Sequence, residues 1–193
     1  LMRGLHKLVP VLQFVTTRAL EVADRGLQLA KPTYLLDPEP CTFSQWVTDY
    51  FKELKRNPDT PLSYDIETPY KQGQNEDELE KDADGDDYQI LRCSFAYRQN
   101  DAVSVPWNAS YRPILEELFS SNGPKISWNG ANYDEPRVRA QMDVNGDQLD
   151  AMLMWHMLNS ALDKRLGFVS AFYATDVEVW KYMSKGNPAF YNA

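Results

Sequence analysis

The chain has 193 residues, 43% of them hydrophobic and 12% aromatic, and a formal net charge of −8. That is enough apolar material for one compact domain with an appendage, and no apolar run reaches the roughly 18–20 residues that a membrane span requires. The charge does not exclude nucleic acid, because residues 74–87 (QNEDELEKDADGDD) alone carry −7 and the rest of the chain sums to −1.

The opening LMRGLHKLVPVLQFVTTRAL is broken by charges and by Pro10, so it is neither a signal peptide nor an anchor. The absence of a starting methionine leads us to expect a fragment of a longer protein. Apolar spacing at Leu12, Val15, Leu20 and Val22 predicts a helix over 11–28. TYLL at 33–36 is a short extended run. CTFSQWVTDYFKELKR follows as a helix, with Thr42 and Gln45 in capping-box spacing and Trp46, Tyr50, Phe51 and Leu54 as its core-facing stripe.

From Leu62 the rhythm becomes that of strands. LSYDIE is one, YQILRCSFAYR at 88–98 a second and AVSVPW at 102–107 a third, the last two joined across the turn QND. YRPILEELFSS at 111–121 has helical spacing and stops at Asn122-Gly123-Pro124. KISW at 125–128 is a short strand, and YDEPRVRAQM starts a helix with Pro136 in its first turn. DQLD at 147–150 leads into AMLMWHMLNSAL, apolar on most sides and therefore expected to be largely buried. Antiparallel strands followed by strand–helix units predict an α/β fold, a mixed sheet flanked by helices.

Asp65 and Glu67 lie two residues apart on the strand LSYDIE, so they point to one face at a Cβ separation of roughly 7 Å. Like charges at that spacing repel, which leaves a solvated strand end or a cation held between them. Asp134 and Asp150 stand at strand-to-helix junctions. Asp134 is either an acid favoured by the helix dipole or a ligand. Asp150 reads first as a helix cap. Open α/β sheets place their sites at such strand ends, and hard divalent cations prefer oxygen donors. Asn129 beside Gly130 is turn chemistry or an orienting hydrogen bond, and His156 reads as a core histidine. Cys41 and Cys93 make neither metal spacing nor a disulfide framework, which suits a reducing, cytoplasmic setting. The DADGDD run is not an EF-hand, since Asp87 and Cys93 stand where that loop needs glycine and glutamate.

Three segments carry a resemblance. YDIET resembles the D-x-E first motif of the 3′–5′ exonucleases of the DEDD superfamily, and WNGANYD their second motif, from Asn129 to Asp134. LDAMLMWHML is similar to the segment that follows in polymerase-type members, and the closing YNA to the start of a third, tyrosine-type motif at Tyr191. The nearest likeness is to proofreading exonuclease domains of bacteriophage-type family A DNA polymerases. It covers residues 61–193 and leaves 1–60 as a helical and extended appendage without a family motif.

The resemblance implies a ribonuclease H-like fold and two-metal hydrolysis with Mg²⁺ or Mn²⁺ at Asp65, Glu67 and Asp134. Tyr191 would orient the attacking water, and Thr68 and Asn129 would bind substrate. It implies a single-stranded DNA 3′ end as partner, a linked polymerase domain in the parent protein, and a bacterial or phage-infected cytoplasm without membrane association. The third motif needs an aspartate four residues after its tyrosine. The sequence stops two residues after Tyr191, so the domain is expected to be cut at its C-terminal end, weak or inactive, with its metal site partly or wholly empty. An RNA 3′-end trimming enzyme and a non-catalytic scaffold with a degenerate exonuclease fold are the alternatives. Tyr70 and Trp107 read as packing aromatics before stacking surfaces.

Overall fold

The computed structural model describes residues 5–26, 31–69 and 89–173. The acidic segment 74–87, Tyr70 and Tyr191 with the closing residues fall outside these. The chain divides into two compact units, residues 32–151 and residues 1–31 with 152–193.

The sheet lies in the 32–151 unit. Its strands are β1 (Thr33–Leu36), β2 (Leu62–Glu67), β3 (Arg92–Arg98), β4 (Asp101–Pro106), β5 (Lys125–Ser127) and β6 (Gln148–Asp150). They lie in the order β1-β4-β3-β2-β5-β6. β2, β3 and β4 form an antiparallel meander, while β5 and β6 are added in parallel beside β2. This is the mixed α/β sheet that the order of elements predicts, consistent with a ribonuclease H-like arrangement. β1 pairs in parallel with β4, so a strand from the first 60 residues belongs to the sheet.

Alternation along β2 separates core from site. Leu62, Tyr64 and Ile66 are buried, whereas Ser63, Asp65 and Glu67 are exposed. The buried face continues through Cys93, Phe95, Val103 and Val105, and meets α2 (Pro40–Arg56), α3 (Arg112–Ser120) and α4 (Asp134–Arg139) in one apolar cluster. Each such aliphatic or aromatic side chain contributes about 1.5–3 kcal/mol when fully buried. The β3–β4 turn sits at Gln99-Asn100, with Asn100 at φ 61°, a left-handed conformation that asparagine tolerates.

Helix α2 begins earlier than its capping-box spacing predicts. Glu39 precedes the helix without a side-chain cap, and Pro40 occupies the first turn. Proline there has φ already set and lacks an N–H that would go unpaired, so Thr42 lies inside the helix. Gln45 instead donates to Asp49 Oδ1 at 3.2 Å. Trp46 and Tyr50 are buried as expected, with Phe43 and Val47 beside them.

In the second unit α1 runs Leu5–Arg25 with Pro10 inside it, six residues earlier than expected. There α5 (Ala151–Leu158) precedes α6 (Leu166–Tyr173). The expectation that α5 is largely buried fails. Trp155 is its buried residue, while Met157 and Leu158 are 85% and 77% exposed. Hydrophobicity on every side marked a helix but did not supply a partner for each side. His156 is only partly buried, and its Nδ1 is enclosed without a hydrogen-bond partner. It is therefore not the satisfied core histidine expected. Among the described residues no helix is long and apolar enough to cross a membrane.

Candidate functional site

The site is set by unequal strand lengths. The β2–β5 ladder ends at the pairing of Ser63 with Ile126, while β2 runs on to Glu67. Past that point, among the described residues, no strand pairs with the β5 side of β2. The Ile66 N–H is taken by a side chain instead, donating to Asp134 Oδ1 at 3.0 Å. An unpaired amide at this depth would cost about 1–3 kcal/mol, so this bond both satisfies β2 and fixes the carboxylate.

Asp134 opens α4 and is 2% exposed. Burial is the main force on it, and the neighbouring Asp65 carboxylate adds repulsion. Together they push its pKa up to about 7, against the pull of the Ile66 N–H and of Arg137. The same two carboxylates, after burial, raise the Cys93 thiol well above its ordinary value, and Asp134 helps burial to raise Tyr64. Asp65 and Asp134, 69 residues apart in sequence, therefore act on one small volume.

The loop from Ser127 to Tyr133 delivers Asp134 to that place. Asn129 adopts φ 60°, and the Asp150 carboxylate at the end of β6 receives the N–H groups of Asn129 and Ala131, both at 3.3 Å. Asn132 Nδ2 donates to Asn129 Oδ1 at 3.0 Å. A Cβ at Gly130 would fall 1.6 Å from Ser127 Oγ, so only glycine lets the loop close onto β5. Asp150, expected first as a cap of the helix that follows it, anchors this loop from a neighbouring strand.

Tyr133, the residue before Asp134, reaches β2 as well. Its hydroxyl lies 2.7 Å from Thr68 Oγ1. The Arg137 guanidinium stacks on its ring, 3.8 Å from the centroid, and donates from Nη1 to the Tyr133 carbonyl at 2.8 Å. Arg137 is 8% exposed. In the sequence Tyr133 stands out only as part of WNGANYD and YDEPRVRAQM, and Arg137 only as part of the latter. The i, i+4 spacing of Tyr133 and Arg137 on the start of a helix was the available signal.

Of the expected site residues, Asp65, Asp134 and Thr68 lie at this end of β2, while Asn129 lies in the loop that Asp150 holds. Glu67 shares the exposed face with Asp65. Among the described residues no three acids, histidines or cysteines stand together in a group able to hold a metal ion. The donor chemistry of Asp65 and Asp134 nevertheless fits a hard divalent cation. A carboxylate almost wholly out of water beside a second carboxylate is costly when ionised, and a cation shared by the two removes that cost. Trp107 is partly buried against the core and donates from Nε1 to Gln141 Oε1 at 2.7 Å, the packing role expected of it.

No protein-family profile matches the chain, and no curated protein does. Among solved structures it is similar to the crystal structure of the EXD2 exonuclease domain, with 14% sequence identity and a TM-score of 0.46. The likeness covers 68% of this chain and 66% of that one, just under two thirds of its length.

Proposed function

We propose that the chain is the hydrolytic part of a metal-dependent 3′–5′ exonuclease that acts on terminal phosphodiesters of single-stranded or frayed DNA, as the proofreading portion of a DNA polymerase. The observation that carries this reading is the buried Asp134 carboxylate set beside Asp65 at the end of the strand bearing YDIE. An acid whose pKa is driven up by burial and by a second acid, in a place reached from strand ends, is a candidate for chemistry rather than for stability.

In this reading Asp65, Glu67 and Asp134 hold Mg²⁺ or Mn²⁺. When bound, such ions supply a nucleophile near neutral pH and neutralise charge on the phosphate oxygens. The chain's own residues supply position. The Ile66 N–H orients Asp134, and the Asp150 carboxylate receives the Asn129 N–H and so anchors the loop that leads to Asp134. Thr68 follows Glu67 just past the end of the strand and offers its backbone N–H to the 3′ end. Tyr191 is assigned the orientation of the attacking water by its motif alone. The 3′ end of single-stranded DNA is the proposed partner, and a linked polymerase domain the proposed context.

The test is a 5′-labelled single-stranded DNA incubated with Mn²⁺ and the parent protein, beside its Asp65→Ala variant and a matched RNA. Stepwise shortening from the 3′ end of the DNA, lost in the variant, is expected. A wild-type protein as inert as Asp65→Ala makes the chain a scaffold instead. Faster loss of the RNA makes it an RNA-trimming enzyme.

A further inference from the structure

Two hydrogen bonds join the loop-to-helix junction to β2, and they fall on either side of Glu67. Asp134 Oδ1 takes the N–H of Ile66, one residue before it. The Tyr133 hydroxyl meets the hydroxyl of Thr68, one residue after it, at 2.7 Å. Consecutive residues of one segment thus grip the residues flanking Glu67, at two points about one strand pleat apart.

The second grip is braced from behind. Arg137 lies under the Tyr133 ring at 3.8 Å and is bonded to the Tyr133 carbonyl. Its burial allows the guanidinium little freedom. Stacking by a buried cation on one face and the bond at its tip both restrain the ring. Tyr133 does more than fill space, because packing alone would not need its hydroxyl to find a partner 65 residues away.

From this geometry we infer that Thr68 and Tyr133 are positioning residues. Their hydroxyl pair, braced by Arg137, fixes the separation between the Asp134 carboxylate and the Asp65–Glu67 pair, and so sets how tightly these acids hold a divalent cation. The inference rests on the exonuclease reading only in taking those acids as the cation site. Outer contacts of this kind typically govern 10–100-fold in metal affinity.

The experiment is Mn²⁺ binding by isothermal titration and by electron paramagnetic resonance, with the melting midpoint recorded for every variant. Thr68→Val removes the hydroxyl at nearly constant volume, and Thr68→Ser keeps it. Affinity about tenfold weaker is expected for Thr68→Val and for Tyr133→Phe. The double variant should be no weaker than either single one, since both remove the same bond. Thr68→Ser should bind as the wild type does. Equal affinity in Thr68→Val and wild type, or additive losses in the double variant, overturns the clamp while Asp65→Ala still abolishes binding. Absence of any Asp65-dependent binding in the wild type removes the cation site itself, and the clamp with it. The serine variant guards against misfolding: if it loses affinity as valine does, the hydroxyl pair is not the cause.

Discussion

Replacing Asp134 by asparagine isolates the energetic consequence of the buried acid. The amide keeps an oxygen for the Ile66 N–H but cannot ionise. In the folded protein burial and then Asp65 raise the carboxyl from its usual 3.8 to about 7. At 1.36 kcal/mol per pH unit this corresponds to ~4 kcal/mol. Between those two values the folded state binds more protons than the unfolded one, so stability falls as pH rises through this window and is flat above it. The stability associated with the neutral acid is fully present below about pH 4 and lost by about pH 7. Asp134→Asn removes that slope. In metal-free buffer at pH 8 the variant should be more stable than the wild type by roughly 2–4 kcal/mol, and at pH 4 the two should agree within about 1 kcal/mol. Urea unfolding with a chelator present, at pH 4, 6 and 8, measures this directly. Mn²⁺ at about 100 times its dissociation constant should return about 2.7 kcal/mol to the wild type at pH 8 and little to the variant. Parallel pH curves for the two proteins would show that Asp134 titrates alike in the folded and unfolded states.

Two further predictions concern the scaffold that holds the site. Lys125 opens β5 wholly buried, donating from Nζ to the carbonyls of Ser121 (2.7 Å), Gly123 (3.2 Å) and Asn145 (2.7 Å). Burial lowers its pKa to about 8. Lys125→Met relieves the buried charge but strands those carbonyls, and chemical unfolding at pH 7 should show a net loss of about 2–4 kcal/mol. Gly130→Ala drives a methyl group into Ser127 and should cost about 1–3 kcal/mol. Ser127→Gly in the same chain should recover part of it, as thermal and urea melts of the three proteins would show.

The part of the fold that follows local rules was legible in the sequence. β2 reads correctly because Leu62, Tyr64 and Ile66 alternate with Ser63, Asp65 and Glu67, a period that fixes both the strand and the face its acids occupy. The β3–β4 turn and the stop after α3 were likewise written in Asn, Gly and Pro. Long-range satisfaction was not legible. A lysine heading a strand reads as a surface residue, and only carbonyls brought from Ser121, Gly123 and Asn145 make Lys125 a core residue. The capping-box spacing at Thr42 was overridden by a proline two residues earlier. At the site, the residue types of YDIET and WNGANYD pointed to one place. The bonds that join them, Ile66 to Asp134 and Thr68 to Tyr133, leave no periodic trace because each depends on where β5 stops.

In the proposed function Asp65 and Asp134, joined by Glu67, share a divalent cation. Crystals of the protein soaked in Mn²⁺, with diffraction recorded near the manganese absorption edge, test it without reference to activity. An anomalous peak is expected between the Asp65 and Asp134 carboxylates, absent from crystals of Asp65→Ala. Manganese bound only elsewhere, or no peak at this end of β2 at saturating concentration, would contradict it.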